Sequence, residues 1–211
     1  MAVVKLLKSS SAKTVASKTP KAATPAKKPA KDSVKVRPGE LIATIGGKKI
    51  GVKDSYISQF TKAFILDGGK TIAFTGTDGA GGFENEGQSL RLYDVATGKS
   101  RKVMAGYNMI DSVKSVKTAD GKSALLVAQS DGGLGGDHFS IVDPVQGGEV
   151  YQAPGLAKFV SQKGNMLKLA MFNEESYMNG KPRPIGYKAV DLRAVLFNKV
   201  IVNKPTWEEF K

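Results

Sequence analysis

Two aspartates, Asp131 and Asp137, stand at the ends of a glycine-rich run, Gly132-Gly133-Leu134-Gly135-Gly136, and His138 follows directly. Carboxylates drawn together by a glycine loop are the first ligands to test for calcium, an ion that takes about six to eight oxygens. One loop of this composition supplies too few. Asp131 and Asp137 are therefore read as flanking a connection between two strands, and no metal or cofactor is expected. Asp78, Glu84, Asn85 and Glu86 form a second acidic loop with irregular spacing, read in the same way. Gly79-Ala80-Gly81-Gly82 would suit a phosphate if it opened a helix whose amides faced the anion. It runs instead into Phe83-Glu84-Asn85-Glu86, whose charge repels one. His138 is the only histidine and cysteine is absent. Multi-histidine and thiolate metal sites, disulfides and a cysteine nucleophile are thereby excluded. No nucleophile, base and orienting group come together, and the chain is expected not to be an enzyme.

A second set of carboxylates is periodic. Asp94 in LRLYDVATGK, Asp143 in HFSIVDPVQGG and Asp191 in GYKAVDLRA are 49 and 48 residues apart. Each follows, by about two dozen residues, a glycine turn: DGGK at 67–70, ADGK at 119–122 and QKGN at 162–165. An aspartate at a strand end accepts hydrogen bonds from turn amides two residues on, so the three are read as one structural job repeated, with Gly69 and Gly121 shaping the turns. Repetition at this period marks a supersecondary unit that must stack on its neighbours to bury its faces. The units lie at about 58–104, 112–152 and 156–202. Leu90 and Leu92 alternate with Arg91 and Tyr93 as a half-buried strand requires. GELIATIGGKKIGV, residues 39–52, reads as a hairpin, and 194–204, AVLFNKVIVNK, as a final β-rich stretch. No amphipathic helix of ordinary length is found. Trp207 and Phe210, in KPTWEEFK, are read as covering the last sheet or as an aromatic anchor on a partner.

The string DGGKTIAFTGT followed by LRLYDVATGK resembles the blade motif of TolB-type and WD-repeat β-propellers. It covers 58–104 well, 112–152 moderately and 156–202 poorly. The resemblance implies an all-β fold of four-stranded antiparallel sheets packed face to face about an axis, with loops at two ends that serve binding. About three blades make a small or incomplete ring, since propellers have about four to eight. The terminal strands would supply a partial fourth sheet, and an open array would leave edges for another subunit to cover. Residues 132–140 also resemble one copy of the nonapeptide of RTX calcium-binding β-rolls, whose sites imply tandem copies.

The chain has 211 residues, 41% of them hydrophobic, and a formal charge of +13. This is room for one full domain with a core. Up to Arg37 there are ten basic residues against Asp32 alone, which leaves +4 for the remainder. Residues 1–38 are nearly all Ala, Lys, Ser, Thr, Val and Pro, and cannot bury enough apolar surface to offset the entropy of ordering. They read as an extended basic tail, resembling linker-histone tails in composition, ahead of a β domain at 39–211. Its charges, Lys5, Lys8, Lys13, Lys18, Lys21, Lys27, Lys28, Lys31, Lys35 and Arg37, are spread as suits an acidic surface rather than a single contact.

No apolar run reaches the roughly 20 residues of a membrane helix. With no cysteine, a cytoplasmic location is the default, and targeting by the basic N-terminus stays open. The expectation is a non-catalytic assembly subunit that docks on a larger complex through its β domain and lays its tail over an acidic surface. The alternative is a nucleic-acid-associated protein whose tail neutralises phosphates without reading sequence. A spacer tail with no partner is a third reading.

Overall fold

The structure is a computed structural model that describes residues 31–37, 39–78, 88–105, 109–130, 137–178 and 182–198. Four antiparallel sheets follow one another along the chain. The first contains β1 (Ser33–Arg37), β2 (Glu40–Ile45) and β3 (Lys48–Val52). The second contains β4 (Ile57–Leu66), β5 (Thr71–Asp78), β6 (Gln88–Asp94) and β7 (Lys99–Ala105), in that spatial order. The third repeats it with β8 (Met109–Lys117), β9 (Ser123–Ser130), β10 (Asp137–Val142) and β11 (Glu149–Gln152). The fourth has β12 (Leu156–Lys163), β13 (Met166–Phe172) and β14 (Gly186–Asp191). A five-residue helix, α1 (Glu174–Met178), lies between β13 and β14, and α2 (Leu192–Asn198) follows β14.

Burial explains the sequence of each strand. The central strands are covered on both faces, so they read as unbroken apolar runs rather than as alternation. Ile72, Ala73 and Phe74 of β5 are all buried, as are Ala124, Leu125, Leu126 and Val127 of β9. Within each run successive residues serve opposite cores: Ile72 and Phe74 pack toward the first sheet, Ala73 toward the third. The outermost sheets have one covered face and do alternate, as in β1, where Val34 and Val36 are half-buried between exposed Ser33, Lys35 and Arg37.

Three apolar clusters hold the sheets together. Leu41, Ala43 and Val52 meet Phe60 and Phe74, whose rings lie 5.5 Å apart, between the first and second sheets. Leu90, Leu92 and Val103 meet Ile110, Leu125 and Val127 between the second and third. Phe139 and Ile141 meet Leu167, Leu169 and Val190 between the third and fourth. Among the described residues no cluster joins the fourth sheet to the first. The result is an open, propeller-like array whose described residues are all β apart from short helical segments. Among the described residues no helix is long and apolar enough to cross a membrane.

Two elements differ from expectation. The hairpin at 39–52 has a third strand, because Val34 and Val36 pair with Ala43 and Leu41 and extend the apolar face across the sheet. The expected β-rich stretch at 194–204 begins as helix instead. Leu192, Val195 and Leu196 form a helical stripe that packs into the last core. The Asp191 carboxylate accepts hydrogen bonds from the Arg193 amide at 2.9 Å and the Ala194 amide at 3.3 Å, satisfying donors at the helix start.

Candidate functional site

The short connections gather at one end of the array, tied by bonds between sheets. Ser115 Oγ donates to Asp67 at 2.8 Å, Arg101 to the Val145 carbonyl at 2.9 Å, and the Ala119 amide to Asn165 at 2.7 Å. Each periodic aspartate sits at this end and makes the same bond. Asp94 accepts from the Thr97 amide at 2.7 Å and the Thr97 hydroxyl at 2.8 Å. Asp143 accepts from the Val145 amide at 2.7 Å and the Gln146 amide at 3.2 Å. Asp191 does so at the start of α2. The Thr97 amide, followed by its hydroxyl, holds the Asp94 carboxyl below the usual carboxylate range.

A further carboxylate stands apart from this periodic set. Asp54 follows β3 and accepts from the Tyr56 amide at 2.9 Å. It precedes β4, which starts at the Ile57–Asp78 pair, whereas Asp94 pairs with Thr71 at the other end of the second sheet. The other oxygen of Asp54 takes Arg91 Nε at 2.6 Å and Ser100 Oγ at 2.5 Å. The two charged side chains are 1% and 8% exposed, and the Tyr56 ring lies 5.2 Å from the guanidinium. This is a buried ion pair between the connection that leaves the first sheet and the second sheet. The sequence carries no periodic signal for it, since Asp54 falls before the first repeat at 58–104.

Gly69 and Gly121 have φ of 88° and 85°, in the left-handed region that favours glycine. They differ in surroundings. A Cβ at Gly69 would lie 2.5 Å from Ile45 Cγ2 in the first sheet, whereas one at Gly121 would meet open space.

Two clefts open at the same end. One, of about 390 Å³, lies between the second and third sheets, lined by Asp67, Asp94, Lys99, Arg101, Ser115 and Val145 among others. The other, of about 420 Å³, lies between the third sheet and α2, lined by Lys122, Asp143, Val145, Leu196 and Phe197 among others. Their aspartates are already engaged by hydroxyls or turn amides, so the clefts offer mixed charge and an apolar ridge of exposed Val145 and Phe197.

The remaining expected residues are distributed as follows. Lys5, Lys8, Lys13, Lys18, Lys21, Lys27 and Lys28 lie outside the described residues, as do Asp131, the 79–87 loop, Trp207 and Phe210. Asp137 begins β10, with half-buried His138 next to it. Among the described residues no group of three or more His, Cys, Asp or Glu side chains could hold a metal ion. Lys31 is exposed. Lys35 and Arg37, read as tail residues, belong to β1 and project from the outer face of the first sheet, because their valine neighbours are drawn into its core. Asp32 fixes the start of this strand by accepting from the Gly46 amide at 2.8 Å.

No family model matches the chain. No curated protein matches it either, so the histone-like tail rests on composition alone. Solved structures do match. The tricorn protease aligns with a TM-score of 0.51 at 16% identity, over 76% of this chain and 15% of its own. Acylaminoacyl peptidase from Pyrococcus horikoshii aligns at 0.45 and 14%, over 75% of this chain and 28% of its own. TolB from Acinetobacter baumannii aligns at 0.27 and 15%, over 77% and 50%. The chain thus spans half or less of each of these proteins. The tricorn match shows a shared fold. It also corrects one expectation: non-enzyme status was inferred from missing catalytic groups, yet the same fold forms part of a protease, so that inference does not hold.

Proposed function

We propose that this chain is an interaction unit that docks on a larger complex through its β domain, with an acidic surface of that complex taken up by the N-terminal segment and the outer face of the first sheet together. The observation that carries this is the course of the chain into β1. The lysines of residues 1–31 lead directly into a strand whose outward side chains are Ser33, Lys35 and Arg37. Across the same face stand Glu40 and Lys49, all exposed. The face therefore presents Lys35, Arg37 and Lys49 against the single acid Glu40, with nothing packed on it among the described residues. Charges spread this way contribute individually little and collectively much, and salt screens them over about 8 Å at physiological strength.

The test is a salt titration of binding to polyglutamate, with mixed-sequence DNA and RNA in parallel. Full-length protein, a form lacking residues 1–30, and the Lys35→Glu/Lys49→Glu variant are compared. Each change should weaken polyglutamate binding several-fold and flatten its salt dependence, while single tail Lys→Ala changes stay mild. Equal binding by all forms overturns the proposal. Tight binding to nucleic acid alone transfers it to a phosphate-neutralising role.

A further inference from the structure

The cleft between the second and third sheets is shaped by strand register. Leu66, Thr71, Asp94 and Lys99 form one row across the second sheet, and Ala73, Leu92 and Arg101 form the next. Buried Leu66, Leu92 and Leu125 give the cleft an apolar floor, and exposed Val145 stands on its third-sheet side. Some of its polar groups are already committed. Asp94 takes both Thr97 donors on one oxygen, and Arg101 is held in place by its Nη1 bond to the Val145 carbonyl. Others are open: Lys99, Thr71 and Ser123 line the cleft, and their side chains have no hydrogen-bond or ion-pair partner among the described residues. Asp67 stands out by its backbone. It is the one non-glycine among the described residues with a positive φ, 51°, a conformation that persists only where the surroundings hold it. Ser115 Oγ holds it from the third sheet, donating to one carboxylate oxygen at 2.8 Å, and the other oxygen has no partner among the described residues.

We propose that this cleft binds a monocarboxylate that carries an apolar body and an adjoining N–H donor, the chemistry of an N-acylated apolar amino acid, whether free or at the carboxyl end of a peptide. The carboxylate meets the Lys99 ammonium, with the anchored Arg101 guanidinium beside it. The apolar body lies over Leu66, Leu92 and Leu125, and the N–H donates to the unpaired oxygen of Asp67. A volume of about 390 Å³ suits such a molecule, since small-ligand sites run to roughly 300–1,000 Å³ and combine apolar lining with a few placed polar groups. Lys99 and Arg101 face Asp67 and Asp94, so the empty cleft is close to neutral. A phosphate dianion would add a second negative charge beside those carboxylates, whereas a single carboxylate next to a donor puts one group on each sign. An inorganic anion would leave the leucine floor uncovered.

The test is a saturation-transfer NMR titration of the full-length protein with N-acetyl-leucine, read at the ligand's methyl groups. Transfer should saturate. N-acetyl-leucine amide, which lacks the carboxylate, should bind about tenfold more weakly or worse, the factor that one hydrogen bond to a charged group supplies. 4-Methylpentanoate keeps the carboxylate and the isobutyl group but has no N–H, and should bind several-fold more weakly than N-acetyl-leucine. Lys99→Gln should bring the acid down to the level of the amide, and Val145→Asp, which puts a negative charge at the mouth, should weaken it as well. Both positions are exposed, and circular dichroism checks that the variants fold. Lys35→Gln on the first sheet should change nothing. A pentapeptide, Ser-Gly-Ser-Ala-Leu with a free carboxyl group, separates the sources: tighter binding than N-acetyl-leucine assigns the site to chain ends, weaker binding to free small molecules. Absence of saturable transfer, equal binding of acid and amide, equal binding of N-acetyl-leucine and 4-methylpentanoate, or binding unmoved by Lys99→Gln overturns the proposal.

Discussion

Asp54 and Arg91 show what one carboxylate does when it is almost wholly removed from water. Its two oxygens accept from the Tyr56 amide, the Arg91 guanidinium and the Ser100 hydroxyl, which compensates the desolvation of both charges. Removing one partner leaves the other buried and unpaired, so Asp54→Ala should cost about 3–5 kcal/mol. Denaturant melts check this. Arg91→Met combined with Asp54→Ala should recover part of the loss, and a double variant as unstable as the single would assign the effect to packing. Asp94 makes the opposite kind of contribution, fully at the surface. Its carboxyl is depressed by the Thr97 donors, so the stability it confers is present above the unfolded carboxylate range and is lost as pH falls through the lower folded value. Asp94→Asn should therefore melt lower than wild type near pH 7, and the gap should close as pH drops below about 4. A gap that is independent of pH would remove the charge from the account.

At the level of elements, the middle of the molecule was legible in the sequence and its ends were not. Strands β4 to β7 and β8 to β11 stand close to the expected repeats because both faces are buried, and unbroken runs such as IAF and ALLV record that directly. The same physics hides the margins. Only one face of β1 is covered, and its VKV alternation is short, lysine-bearing and followed by Pro38, so it passes for tail. The stripe of α2 is apolar at Leu192, Val195 and Leu196 and β-branched enough to read as strand; the side chain of Asp191 decides it, by offering acceptors to the next amides. Asp54 carries no such mark because it stands in the connection before the first repeat, outside the period. The location of β1 moves the boundary of the independently folding part. A chain lacking residues 1–30 should melt like the full protein. Deletion through Pro38 removes two half-buried valines and should cost roughly 2 kcal/mol. Equal melting of the two truncations would show that β1 adds nothing to the first core.

The described residues form a row of four sheets in which the inner two have four strands and the outer two have three. Neighbouring clusters supply the stability, as in other arrays whose units contact only adjacent units. In the first and fourth sheets β3 and β14 are edge strands. Their outer backbone edges are therefore unsatisfied among the described residues. Exposed strand edges template pairing with other chains, and lysine is a common guard against it. Lys48 and Lys49 stand on β3 and Lys188 on β14. These three ammonium groups are therefore expected to oppose edge-to-edge association at β3 and β14. Mild acetylation, which leaves the cores untouched, should convert a clear solution into thioflavin-positive aggregates within the period over which unmodified protein stays dispersed, and light scattering would show it. Arginine at the same three positions should keep acetylated protein clear.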